Sequence, residues 1–124
     1  MKYLLDSNVI IRIVLGMDER LRERAGSCDD GDLVTSAIAY AEVTYGSFKG
    51  KPPEFEKLRA FVEEVPVLAF DFKAAQNYAT LPFRRASYDR LIAAHALSED
   101  LTLVTDNEND FSDIPALRVE NWTR

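Results

Sequence analysis

The chain has 124 residues (14.0 kDa), 47% hydrophobic and 29% charged, enough apolar sequence for one core and too little length for two, which excludes disordered, collagen-like and multidomain architectures. Fifteen basic against 21 acidic residues give a formal charge of −6, which argues against a protein that grips nucleic acid by bulk charge unless its acids are concentrated on metal ions. One cysteine, Cys28, and one histidine, His95, exclude an internal disulfide and a zinc cluster and fit a reducing compartment.

Tyr3-Leu4-Leu5 reads as a strand, followed by a helix through Val9-Ile10-Ile11 to Gly16. Asp6 and Arg12 interrupt this N-terminus before it reaches signal-peptide length, and no stretch approaches the roughly 18 apolar residues of a membrane span, so a cytoplasmic protein without a membrane partner is expected. A charged helix covers Asp18–Ala25, a strand Asp32–Thr35, and Ser36 caps a helix to about Phe48. Gly50-Lys51-Pro52-Pro53 breaks the chain before an amphipathic helix carrying Phe55, Leu58, Phe61 and Val62. Val65–Leu68 is an edge strand by virtue of Pro66, and Asp71 caps a helix through Tyr78. The loop Leu81–Ala86 leads to Ser87, the cap of the most apolar helix, Tyr88–Ser98. Leu101–Thr105 is the clearest strand and Leu117–Val119 the last. Strands alternating with helices predict one α/β domain over residues 1–124, a three-layer sandwich with a mostly parallel central sheet flanked by helices.

Most of the acids lie on polar helix faces, but four are placed differently. Asp6 and Asp106 end strands, where parallel sheets collect ligands, although each has a plainer reading as a helix cap or turn residue. Glu42 shares a helix face with Ile38, Ala39, Tyr45 and Gly46, so its carboxylate is partly buried and needs either an arginine partner or a cation. Asp89 shares a face with Ile92, Ala93 and Ala96, and also suits a first turn near the helix dipole. If these four converge, like charge forbids them from all remaining ionised without a cation, and an all-oxygen set favours Mg²⁺, with Mn²⁺ a substitute, over Zn²⁺. That reasoning yields a metal site and leaves the substrate open.

Three motifs supply more. Leu5-Asp6-Ser7-Asn8-Val9-Ile10 resembles the opening of the PIN-domain nucleases; Tyr88-Asp89-Arg90-Leu91-Ile92-Ala93-Ala94-His95-Ala96-Leu97 is similar to their central helix; and Leu101–Asn107 followed by Asp110-Phe111 resembles their late strand and acidic turn. Ile114-Pro115 through Asn121-Trp122 looks like the tail of the VapC-type toxins in that family. The resemblance, which runs from Met1 to Trp122, implies a PIN-like fold and a Mg²⁺-dependent endoribonuclease, the toxin of a type II toxin–antitoxin pair. By position it implies that Asp6, Glu42, Asp89 and Asp106 hold the metal and carry catalysis, with Thr105, Asp110 and Asn8 as accessories. It also implies an RNA substrate, a VapB-like antitoxin, and DNA contact through that antitoxin alone. One departure is the segment between Tyr78 and Asp89, which is shorter than in many such toxins.

Arg84, Arg85 and Arg90 flank Asp89 and either hold phosphate at the cleft rim or form surface ion pairs. His95, about 240° around the helix from Asp89, reads as a packing residue, and Cys28 has no acid–base partner in sequence. Tyr40, Phe48, Phe55 and Phe61 exceed what a thin core needs and predict a homodimer face. Two other functions fit parts of the sequence. A phosphotransfer domain using Asp6 as nucleophile needs a late lysine, and the last is Lys73. A non-catalytic partner-binding domain, with the acids as surface charge, would bind no metal.

Overall fold

The computed structural model describes residues 1–124. Five strands, β1 (Tyr3–Leu5), β2 (Leu33–Ser36), β3 (Val67–Leu68), β4 (Thr102–Val104) and β5 (Val119–Glu120), form one wholly parallel sheet in the order β3-β2-β1-β4-β5. Six helices connect them: α1 (Ser7–Leu15), α2 (Glu19–Gly26), α3 (Ala37–Phe48), α4 (Phe55–Glu64), α5 (Phe72–Tyr78) and α6 (Tyr88–Ser98). A short 3-10 turn, Glu108–Phe111, follows β4. Parallel strands require such crossovers, and crossovers of fixed hand cover both faces of the sheet. The central strands are therefore apolar throughout: Leu4, Leu5, Leu103 and Val104 have no exposed surface.

The strand order positions the site. The chain steps outward from β1 to β2 to β3, then returns to lay β4 against the other side of β1. The reversal makes the carboxyl ends of β1 and β4 a topological switch point, where adjoining connections diverge and leave a crevice.

Local signals act as their residue types require. Ser36 accepts from the Ile38 amide at 3.1 Å, Asp71 from Ala74 at 2.9 Å and Ser87 from Arg90 at 3.4 Å, each capping a helix. Gly16 ends α1 at φ +64°, a conformation costly for any residue with a Cβ.

Two strands differ from expectation. The run expected at Val65–Leu68 pairs only over Val67–Leu68, because Pro66 has no amide to donate, although its carbonyl accepts from Thr35 at 3.0 Å. The last strand is Val119–Glu120, since Leu117 instead closes a turn on the Ile114 carbonyl and packs inward.

One buried cluster joins both faces, and Trp122 and Phe111 are its largest fully enclosed side chains. Tyr3 meets Trp122 edge to face at 4.9 Å, and Arg24 lies over the indole while pairing with Glu120 at 3.1 Å, which ties the C-terminal segment to α2. His95 is buried, with Nδ1 2.7 Å from the Ser36 hydroxyl and its ring edge-on to Phe70. That is a packing role. Of the four aromatics expected on a dimer face, Tyr40 and Phe61 instead pack against the core, because α3 and α4 each bury an apolar stripe. Phe55 is half-buried and stacks at 4.9 Å on Phe48, which remains exposed.

Candidate active site

Asp6 lies at the junction of β1 and α1, 5% exposed. Its Oδ1 accepts from the Ser7 amide at 2.8 Å and its Oδ2 from the Thr105 hydroxyl at 2.8 Å. It caps α1, the plainer of its two readings, and does so while buried at the switch point. The Thr105 hydroxyl accepts in turn from the Asn107 amide at 3.1 Å, which fixes its direction toward Asp6. Thr105 thus occupies the orienting position expected of it. Asn8 does not share this role. It is exposed, and Ser7 is the neighbour that faces the carboxylates.

Glu42 comes from the middle of α3 and Asp89 from the first turn of α6, both half-buried. Desolvation, followed by the charges of Asp6 and Asp89, raises Glu42 to about 7, with a hydrogen bond from Ser7 opposing the rise. Desolvation, then the charge of Asp6, a hydrogen bond that protonated Asp89 donates to Asp110, and the charge of Asp110 raise Asp89 to about 6. Asp6 is also raised, chiefly by burial, against the pull of Thr105 and Ser7. These shifts record five carboxylates gathered at the switch point: the charges of Asp106 and Asp110 raise Asp6 further, and the charge of Asp6 raises Glu42 and Asp89.

Asp106 belongs to that group through its charge on Asp6 and is also held in an ion pair. Its Oδ2 accepts from Arg12 Nε at 3.0 Å, and Arg12 also lies 4.0 Å from Asp18. The sequence reading overlooked Arg12. The available signal was a lone cation on the otherwise apolar helix Val9–Leu15, placed to meet an acid beyond its own element. Asp110 fills the position beside Asp89 and accepts from Asn107 Nδ2.

The three arginines separate by role. Arg90 is 4% exposed, and its guanidinium pairs in a bidentate manner with Asp113 at 2.9 and 3.0 Å and donates to the Pro82 carbonyl at 3.0 Å. It is committed to structure. Arg84 also reaches Asp113, at 3.2 Å, whereas Arg85 is exposed and uncommitted to any acid. Held first by Arg90 and then by Arg84, the Asp113 carboxyl lies below its ordinary range. A cavity of about 260 Å³ opens here, lined by Arg84, Arg85, Ser87, Asp89 and Asp110 among others.

The donor set suits a hard divalent cation, and one atom supplies a specific reason. Glu42 Oε1 is buried without a hydrogen-bond partner, a state that costs free energy unless something cationic satisfies it. No three carboxylates form a finished coordination sphere, as repulsion between them and the Arg12–Asp106 pair dictate. In charge and chemistry the residues fit a hard divalent cation.

The family model described as the PIN domain matches residues 3–117. The chain belongs to the PIN-domain family. Within it, the chain is 31% identical over 131 residues to the tRNA(fMet)-specific endonuclease VapC of Salmonella typhimurium, covering 98% of each sequence. It is also 31% identical to Ribonuclease VapC2 of Rickettsia felis over the full length of both. Among solved structures, the PIN domain described here superposes on VapBC2 from Rickettsia felis bound to a promoter DNA fragment with a TM-score of 0.86 at 30% identity, covering 98% of this chain and 99% of that one. VapBC-1 from nontypeable Haemophilus influenzae matches with a TM-score of 0.81 at 30% identity over all of both chains. The PIN-like fold expected from the sequence is therefore the fold observed, and the VapC likeness extends over essentially the whole chain.

Proposed function

We propose that this PIN domain is a Mg²⁺-dependent endoribonuclease, the toxin of a VapBC-like pair, that hydrolyses RNA phosphodiesters to 5′-phosphate and 3′-hydroxyl ends. The observation that carries this reading is the unpartnered Glu42 oxygen within a mutually raised set of carboxylates at the switch point. The names of its relatives, ribonuclease and endonuclease, support RNA as the substrate.

A bound divalent cation supplies activation of water and neutralisation of the charge that develops on phosphorus. The protein's own residues prepare for it. Thr105 and the Ser7 amide hold Asp6 in one orientation. Glu42 and Asp89 bring negative charge from two different helices, and Asp110 lies against Asp89. Arg12 keeps Asp106 in reserve beside the group, and Arg85 offers an uncommitted cation to phosphate.

The likeness to VapBC2 and VapBC-1 supports a VapB-like antitoxin that covers the site, with DNA contacted through that antitoxin. A homodimer would use the exposed Tyr45 and Phe48 of α3, and a cytoplasmic setting suits a nuclease of this kind; no helix is long and apolar enough to cross a membrane. A strict monomer by light scattering at tens of micromolar removes the dimer.

The central test is incubation with total RNA and mapping of the cut ends, beside calorimetric Mg²⁺ and Mn²⁺ titration of the wild type and Glu42→Gln. Cleavage, and metal binding that the variant loses, are expected. Absence of both would leave a non-catalytic partner-binding domain.

A further inference from the structure

We infer that the loop between α5 and α6 is a base-recognition site for single-stranded RNA, in which Phe83 stacks on a nucleobase flanking the scissile phosphate while Arg85 holds phosphate. The inference rests on the ribonuclease reading above.

Phe83 is completely exposed, the extreme among the large apolar side chains of this protein. It does not dangle. The residue before it is held through its carbonyl by buried Arg90 at 3.0 Å, and the residue after it, Arg84, is pinned to Asp113 at 3.2 Å and to the Asp110 carbonyl at 3.4 Å. The backbone on both sides of the ring is thus anchored to α6 and to the segment following the acidic turn, and the ring is presented to solvent at fixed height. An aromatic ring kept in water by an anchored loop is a contact surface awaiting an occupant.

The setting specifies which occupant. A cavity of about 430 Å³, in the size range of ligand clefts (roughly 300–1,000 Å³), is lined by Tyr78, Leu81, Pro82 and Phe83 and bounded by Arg84 and Arg85. Arg84, Arg85 and Ala86 also wall the cavity that contains Asp89 and Asp110, so the aromatic and acidic spaces adjoin along one strip of chain. A phosphate positioned for cleavage at the crevice would sit beside Arg85, whose charge no acid in the protein neutralises, and the next base would reach the ring. Rings for stacking beside guanidinium for backbone is the chemistry by which single strands are held. The ring does have apolar companions in Leu81 and Pro82, so its charged neighbours decide between a protein and a polyanion. Here its following neighbours in sequence are two cations, which favours a polyanion.

The test uses a short single-stranded RNA containing a mapped cleavage site, with each flanking nucleotide made abasic in turn. For the wild type, one abasic position raises KM about tenfold or more with kcat little changed. Phe83→Ala raises KM by a similar factor and becomes indifferent to that abasic substitution, while Phe83→Trp restores both KM and base dependence. Arg85→Ala raises KM for intact and abasic RNA alike. Binding is read apart from cleavage by the fluorescence of Phe83→Trp in EDTA, where the intact oligonucleotide quenches and the abasic one does not. Quenching without cleavage upholds this site and removes the nuclease reading. Unchanged KM in Phe83→Ala together with no quenching overturns the site, as does a Phe83→Ala variant altered only in self-association or antitoxin affinity, which would assign the ring to a protein contact.

Discussion

A helix normally turns its glutamates to water, but α3 holds Glu42 half-buried with one oxygen unpartnered, and α6 aims Asp89 at the same space. Asp89→Asn preserves shape while removing one charge. RNA cleavage is expected to fall by orders of magnitude, and thermal melts in EDTA near pH 8 to move upward because a repulsion is relieved. Excess Mg²⁺ should narrow or reverse that gap, since the ion stabilises the form that binds it. If Asp89 serves only as a first-turn residue, activity persists and stability drops by roughly 0.3–1 kcal/mol. Arg12 tests the opposite sign. Arg12→Gln frees Asp106 and removes an internal competitor for the carboxylates, so calorimetry should find tighter Mg²⁺ binding. The same variant should melt a few degrees lower in EDTA, a modest loss because Arg12 is part-exposed. Unaltered Mg²⁺ affinity would separate Asp106 from the metal.

At the scale of elements, α6 serves two tasks through neighbouring residues. Asp89 faces the crevice, while Arg90 turns inward to hold both the α5–α6 loop and Asp113. Asp113→Asn leaves a buried guanidinium without its counter-charge, and breaking such a pair is costlier than forming it is beneficial. A melting temperature lower by about 5 °C or more is expected, with Phe83 no longer held at fixed height. Because the Asp113 carboxyl is depressed in the folded state, the contribution of this pair is present above the ordinary aspartate range and fades as pH falls through its folded value. Wild type and variant should therefore converge in stability on acidification. Melts that stay parallel down to low pH would contradict this.

Over the whole molecule the crevice imposes a pH dependence of the opposite sense. Glu42 and Asp89 bind protons more tightly folded than unfolded, with values near 7 and 6 against 4.5 and 3.8. Between those limits the native state holds more protons, so metal-free stability declines as pH rises from about 4 to 7 and levels off above. After discounting for partial exposure, the loss is on the order of a few kcal/mol. Mg²⁺ competes with those protons, so its stabilising effect should grow over the same range. Melting temperatures at pH 5 to 8, in EDTA and in Mg²⁺, check both slopes; a metal effect independent of pH would detach the ion from these carboxylates.

What the sequence determined by itself was everything written in local periodicity. Apolar runs such as Leu4-Leu5 and Leu103-Val104 read as buried strands, Ser36, Asp71 and Ser87 as helix caps, and Glu42 on an apolar face as a carboxylate in need of a partner. Those properties depend on spacings of two to four residues, which a chain carries before it folds. Tertiary structure alone decided which charges meet. Asp106 and Arg12 are 94 positions apart and Arg90 and Asp113 are 23 apart, and no periodicity links either pair. Ion pairs form between whichever long side chains the strand order brings within a few ångströms, and the return of β4 to β1 is a global event. That return set Asp106 against Arg12, put Asp110 beside Asp89, and left Arg85 as the uncommitted cation next to an exposed ring.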